Sequence, residues 1–254
     1  MKNPVHCLVP LLLLLAPAAF ANLTVHPMRT AVDGHRSSPI RVYSHANEAQ
    51  YIQVSLREIV KPASDSEHEI EVEPDKAAIA VTPGKFALAG GGNRLIRVIP
   101  LQSVLQETAY RLYFEAVRAP EDEAVEAVDG AHARLGVSLV WGALVNVLPA
   151  EGSVAARVFE GRLHNDGTLR LGITRIEDCD GSRCTSHDVS RSLYPGASLT
   201  LPFTSVPGHS VQIHYRLTRD GEREYVQSVA AYPSEPRVEA PLLTPIFSQQ
   251  KATE

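Results

Sequence analysis

The chain has 254 residues, 44% of them hydrophobic and 21% charged, with a formal net charge of −5. That length fills one large domain or two ordinary ones, and the composition is that of a globular chain rather than a disordered one. The acidic balance lacks the clustered Lys and Arg that phosphate neutralisation demands, so nucleic acid is excluded as a partner. Three Cys and a single Trp leave neither a Cys-rich metal scaffold nor a dense disulfide framework, and no metal or cofactor is expected.

Residues 1–21 read as a cleavable signal peptide. Lys2 supplies the positive start, Leu8 to Leu15 an apolar run broken only by Pro10, and Ala19-Phe20-Ala21 the small residues that a signal peptidase reads. The run is shorter than the ~20 apolar residues that span a bilayer. An uncleaved anchor is the alternative; a lipoprotein is disfavoured because Cys7 precedes the apolar run. The expected product is an exported, soluble protein without stable membrane insertion.

Beyond the signal the pattern is all-β, with period-2 alternation recurring and no long amphipathic helix. Ile40 to Ser44 and Tyr51 to Leu56 alternate on either side of a turn at Asn47-Glu48 and read as neighbouring strands. Ala78 to Pro83, Lys85 to Leu88 and Arg94 to Ile99 follow, with Gly90-Gly91-Gly92 as a flexible hairpin loop. Thr108 to Val117 carries the aromatic and β-branched content of a central strand. The acidic, alanine-rich stretch from Glu121 to Asp129 reads as a solvated loop, with a short helix as the alternative. Arg134 to Leu148 is the longest extended segment: its odd positions from Leu135 to Val147 are all apolar, so one face is buried.

Leu148-Pro149-Ala150-Glu151-Gly152-Ser153 is a breaker cluster, which divides the chain into domains at 22–148 and 149–240. In the second, Val154 to Phe159, Arg162 to His164, Leu169 to Ile176, Ser198 to Phe203, Val211 to Leu217 and Val226 to Ala231 read as short strands separated by Gly-containing turns. The spacing implies a sandwich, and the whole implies two β-sandwiches in tandem. Residues 241–254 read as a disordered tail. Export places Cys179 and Cys184 in a disulfide-permissive compartment, and the Asp180-Gly181 turn signal brings their strand ends together. A free thiol pair is the alternative, whereas redox catalysis wants Cys-x-x-Cys at a helix start.

No Gly-x-Ser-x-Gly elbow, His-Glu-x-x-His helix or Walker-type phosphate loop is present. His209 and His214 are an odd number of residues apart and fall on opposite strand faces, so they do not share a metal. His164 and His187 stand alone. The chain is expected to be no enzyme.

Arg41-Val42-Tyr43-Ser44 with Gln50-Tyr51-Ile52, Val81-Thr82-Pro83 and above all Glu107-Thr108-Ala109-Tyr110-Arg111-Leu112-Tyr113-Phe114-Glu115-Ala116-Val117 resemble the periplasmic pilus chaperones of the chaperone-usher pathway, in the branch serving colonization-factor and cable-type pili. The paired cysteines of the second domain have a similar placement there. The resemblance implies two immunoglobulin-like sandwiches set at an angle, a periplasmic location, and pilus subunits, tip adhesin and the outer-membrane usher as partners. Such a chaperone completes a subunit that lacks its last strand by lending one of its own. Here the lent strand resembles Arg134 to Leu148, with Leu135, Val137 and Leu139 the candidates for filling the subunit's groove. The family's cleft binds the subunit's C-terminal carboxylate with two cations. Arg29 matches the first; Ser138 stands where many members have lysine, so the anchor is either one-legged or completed by another residue, with Ser138 itself, Arg111 and Arg134 the candidates. A secreted pilus subunit or adhesin is the alternative reading.

Overall fold

The computed structural model describes residues 22–34, 36–73, 75–117, 139–206 and 208–232. The signal segment, the acidic stretch, the upstream part of the expected donor strand and the C-terminal tail lie outside them.

Seventeen strands and no α-helix make up the described residues. In the first half, β1 (Leu23–His26), β3 (Ser38–Ser44), β6 (Ile79–Thr82) and β8 (Asn93–Pro100) form one sheet in the order β1-β3-β8-β6. Opposite it, β2 (Arg29–Asp33), β10 (Val140–Leu148), β9 (Thr108–Val117), β4 (Gln50–Val60) and β5 (His68–Glu71) lie in the order β2-β10-β9-β4-β5, with β7 (Lys85–Leu88) also on β4. Alternation places Ile40, Val42, Ile96 and Val98 of the first sheet against Ile52, Leu112, Phe114, Val145 and Val147 of the second, all buried in one core. This is the two-sheet solution that hides one apolar face of each sheet.

Two expectations are corrected here. The strands around Ile40 and Tyr51 are not neighbours: β3 pairs with β1 and β8, whereas β4 pairs with β9, β5 and β7. The short polar connection at 45–49 crosses from one sheet to the other, which Asn and Glu permit as readily as a hairpin turn. The triple glycine likewise links β7 of one sheet to β8 of the other rather than closing a hairpin. It is fastened there, because Gly91 N donates to Ala46 O and a side chain at Gly90 would lie 2.5 Å from Asn47 O.

The second half forms one continuous path, β14-β13-β16-β17-β11-β12-β15. The strands are β11 (Ala156–Phe159), β12 (Arg162–Asn165), β13 (Leu171–Asp180), β14 (Arg183–Leu193), β15 (Ser198–Thr200), β16 (Ser210–Arg216) and β17 (Glu224–Tyr232). Val158 and Leu163 from one end meet Leu171, Ile173, Ile176, Val211 and Ile213 from the other in a separate core. The sequence reading omitted β14, whose run from Arg183 to His187 offers no apolar alternation. It is an edge strand, held by β13 through nine residue pairs from Leu171↔Leu193 to Asp180↔Arg183. The Cys179–Cys184 disulfide is formed across this ladder, where the two residues are directly opposite. The hairpin turns through Gly181 and Ser182, with Gly181 at φ +60°.

Candidate functional site between the two sandwiches

The outward face of the β2-β10-β9-β4-β5 sheet meets the second sandwich. Residues paired across a sheet share a face, so Arg29, Leu144, Arg111, Arg57 and Glu71 form one row across five strands. One step along lie Ala31, Asn146, Ala109 and Ile59. Tyr194, just beyond β14, packs on Ile59, Ala109 and Leu144 and closes a small apolar contact between the halves.

Beside that contact is a buried polar knot. Glu107 is 2% exposed. Its carboxylate accepts from Asn146 Nδ2 at 2.9 Å, from the backbone N–H of Arg170 at 2.9 Å and from the hydroxyl of Thr218. The Arg170 guanidinium stands 3.7 Å away and also donates to Thr218 Oγ1 at 3.1 Å and to Ser192 Oγ at 2.9 Å. Asn146 donates a second time, to Tyr194 Oη at 2.8 Å. Burial pushes the Glu107 carboxyl above its ordinary value, outweighing the Thr218, Arg170 and Asn146 donors that favour its ionised form. Glu107 and Asn146 come from the first half and Arg170, Ser192, Tyr194 and Thr218 from the second, so the knot ties one sandwich to the other.

A cavity of about 180 Å³ opens alongside. Its walls include Arg29, Arg111, Leu144, Arg170, Ser192 and Tyr194. The three arginines differ in what they already hold. Arg111 is committed: Nη1 is 2.7 Å from Glu69 and Nη2 3.5 Å from Glu67, and Tyr113 donates to the same Glu69 carboxylate at 2.8 Å. Burial opposes its charge, but Tyr113, Glu69 and Glu67 more than offset that and hold its pKa above the ordinary arginine value. Gly142 makes this possible, because a Cβ there would lie 3.2 Å from both Arg111 and Tyr113 side chains. Arg170 is engaged by Glu107. Arg29 is exposed and has no hydrogen bond or ion pair among the described residues.

The expected donor segment enters the described residues at Leu139. Leu139 is 55% exposed and belongs to neither core, whereas Ala143, Val145 and Val147 farther along the odd face are buried in the first core. Arg134, Leu135, Val137 and Ser138 lie outside the described residues. The β2 partner covers β10 only from Leu144 to Leu148, while β9 accompanies it from Val140 to Val147. Among the described residues, then, Val140 to Ala143 has a strand on one side and an open edge on the other. Leu144 N donates to Met28 O on the β2 side, so alternation aims the backbone polar groups of Gly142 and Val140 into the open edge.

The histidines are accounted for separately. His209 meets Asp178 at 2.9 Å, and buried His214 lies 3.4 Å from Glu177 and 3.1 Å from Arg175. His164 stacks on Phe159 and His187 packs on Phe203. Glu177, Cys179 and Cys184 cluster, but both sulfurs are spent in the disulfide.

The sequence reading missed Glu107, Arg170, Tyr194 and Thr218 as site residues. Glu107 opens the block that carries the family resemblance, but nothing in the sequence marks it, Arg170, Tyr194 or Thr218 as meeting in one site.

No protein-family model matches the chain. It is 28% identical over 219 residues to a CFA/I fimbrial subunit of Escherichia coli, covering 82% of this chain and 91% of that protein. It is 27% identical over 197 residues to a CS1 fimbrial subunit of Escherichia coli, covering 74% of this chain and 83% of that protein. Among solved structures it resembles the class 5 fimbriae chaperone CfaA, with a TM-score of 0.69 at 25% identity over 83% of this chain and 100% of that one.

Proposed function

We propose that this chain is a periplasmic chaperone of the chaperone-usher pathway, which binds incomplete pilus subunits by donor-strand complementation and delivers them to the outer-membrane usher. The observation that carries this reading is the open β10 edge from Val140 to Ala143, running beside a cavity with an unpaired arginine. A sheet edge is a template for another strand, and a cation beside it fixes where that strand ends. A subunit lacking its last strand exposes an apolar groove and an unpaired edge; a lent strand closes the ladder while alternate side chains fill the groove. No covalent bond is made or broken.

In this reading residues 1–21 are the export signal, 22–148 the subunit-binding domain and 149–240 the second domain. Leu135, Val137 and Leu139 enter the subunit's groove. Arg29 receives the subunit's C-terminal carboxylate, to which its planar fork can give two parallel hydrogen bonds. Arg111, already held by Glu67 and Glu69, serves to organise the cleft, and Arg134 and Ser138 lie along the bound strand.

The alternative, a pilus subunit or adhesin, predicts an incomplete sandwich. Two filled cores speak for the chaperone.

Arg29→Ala tests the reading. It should cut subunit recovery from periplasm at least tenfold, since a desolvated charge-assisted pair is worth about 2 kcal/mol or more, while leaving the melting temperature unchanged. Unchanged recovery with a folded variant would refute the anchor.

A further inference from the structure

In the reading above Arg29 alone is half of a carboxylate site, and the residues lining the cavity beside it include a tyrosine and a serine whose hydrogen-bonding direction is fixed from behind. The Asn146 amide turns its NH2 toward the Glu107 carboxyl, donating to Oε1 at 2.9 Å. The second N–H of that NH2 then faces Tyr194 Oη at 2.8 Å. Tyr194 therefore accepts from Asn146, and its own O–H proton remains to be given elsewhere. Ser192 is set the same way, because a guanidinium only donates: Arg170 Nη1 gives to Ser192 Oγ at 2.9 Å, which leaves the serine proton unspent. Neither hydroxyl donates to any described residue. Both residues line the cavity with Arg29. The Arg29 charge is felt at Tyr194, where it opposes the burial that pushes the phenol pKa up. The phenol stays protonated, a donor, at neutral pH.

We infer that Tyr194 and Ser192 of the second sandwich complete the carboxylate site with Arg29, so that a subunit's C-terminal carboxylate is bound by one cation and two hydroxyl donors oriented through the Glu107, Asn146 and Arg170 knot. This rests on the reading of Arg29 as the anchor. It replaces a second cation with donors that carry no charge of their own, and it makes the ligand bridge both sandwiches. The recognised group is a chain-terminal carboxylate; a carboxamide has one oxygen fewer and adds N–H groups that face three donors.

The test uses the full exported chain and two probes, acetyl-trialanine with a free carboxylate and the same peptide as its C-terminal amide, followed by NMR titration. The free acid should perturb resonances of Arg29, Ser192 and Tyr194, and the amide should not. Tyr194→Phe and Ser192→Ala should each weaken the acid by about threefold to tenfold, as expected for a lost hydrogen bond to a charged group, and together abolish discrimination between acid and amide. Thermal melts separate this from a structural effect, since loss of packing alone would weaken both probes alike. If Arg29→Ala loses the acid while the Tyr194→Phe, Ser192→Ala double variant binds it like wild type, the hydroxyl role is overturned and the anchor stands. If Arg29→Ala also binds like wild type, the anchor falls. Equal binding of acid and amide by the unmodified protein, or binding of neither, overturns the inference.

Discussion

Glu107 has the most constrained environment of any charged residue described: an acid at the base of a strand, buried to 2% exposure and satisfied by donors from both sandwiches. Removing one partner of such a pair leaves the other charge buried and unpaired, which costs more than the pair itself contributes. Glu107→Ala should therefore lower unfolding free energy by about 3 kcal/mol, measured by urea denaturation; a change below about 1 kcal/mol would mean that water replaces the carboxylate. The knot also predicts a pH dependence. The folded pKa of Glu107 is raised above the unfolded value by burial, so the folded state binds its proton first. The group's contribution to stability is thus present in full below the unfolded pKa and is lost as pH rises through the folded one. The stability of wild type minus that of Glu107→Gln should grow as pH falls through that window and be flat outside it. None of this was legible in the sequence, because Glu107 meets Arg170 and Thr218 from 63 and 111 residues away, and no periodicity links them.

At the scale of elements, legibility followed burial. β9 and β10 were readable because alternate residues are apolar and enter one core. β14 was not, since an edge strand exposed on much of both faces has no apolar period, and the sheet-crossing loop at 45–49 used the same residue types as a hairpin. Arg29 is singled out by the family resemblance alone, whereas the pairing of Arg111 with Glu67 and Glu69 depends on how β5 folds back. Two predictions belong here. The disulfide closes a short hairpin, with its cysteines five residues apart, so replacing both cysteines by Ser should cost about 2 kcal/mol on the loop-entropy account. Subunit binding should persist; its loss in a folded double variant would give the cysteines a role in recognition. Leu139→Asp should leave folding intact, because Leu139 is 55% exposed and outside both cores, yet prevent complex formation by putting an ion in an apolar groove. Val147→Asp, by contrast, should unfold the first sandwich, since Val147 is 1% exposed within its core. Circular dichroism and subunit recovery distinguish the two.

For the whole molecule, the two sandwiches divide the work. The first supplies the open edge and Arg29; the second, through Tyr194 and the Arg170 knot, holds the cavity wall beside them. The most direct test of a lent strand is residue-resolved amide hydrogen exchange along β10, with and without a copurified subunit. Gly142 and Val140 direct their N–H groups to the open side, whereas those of Trp141 and Ala143 face β9. In a one-to-one complex, exchange at Val140 and Gly142 should slow by at least tenfold while Trp141 and Ala143 change little. Unchanged exchange at Val140 and Gly142 in such a complex would contradict strand donation from this edge.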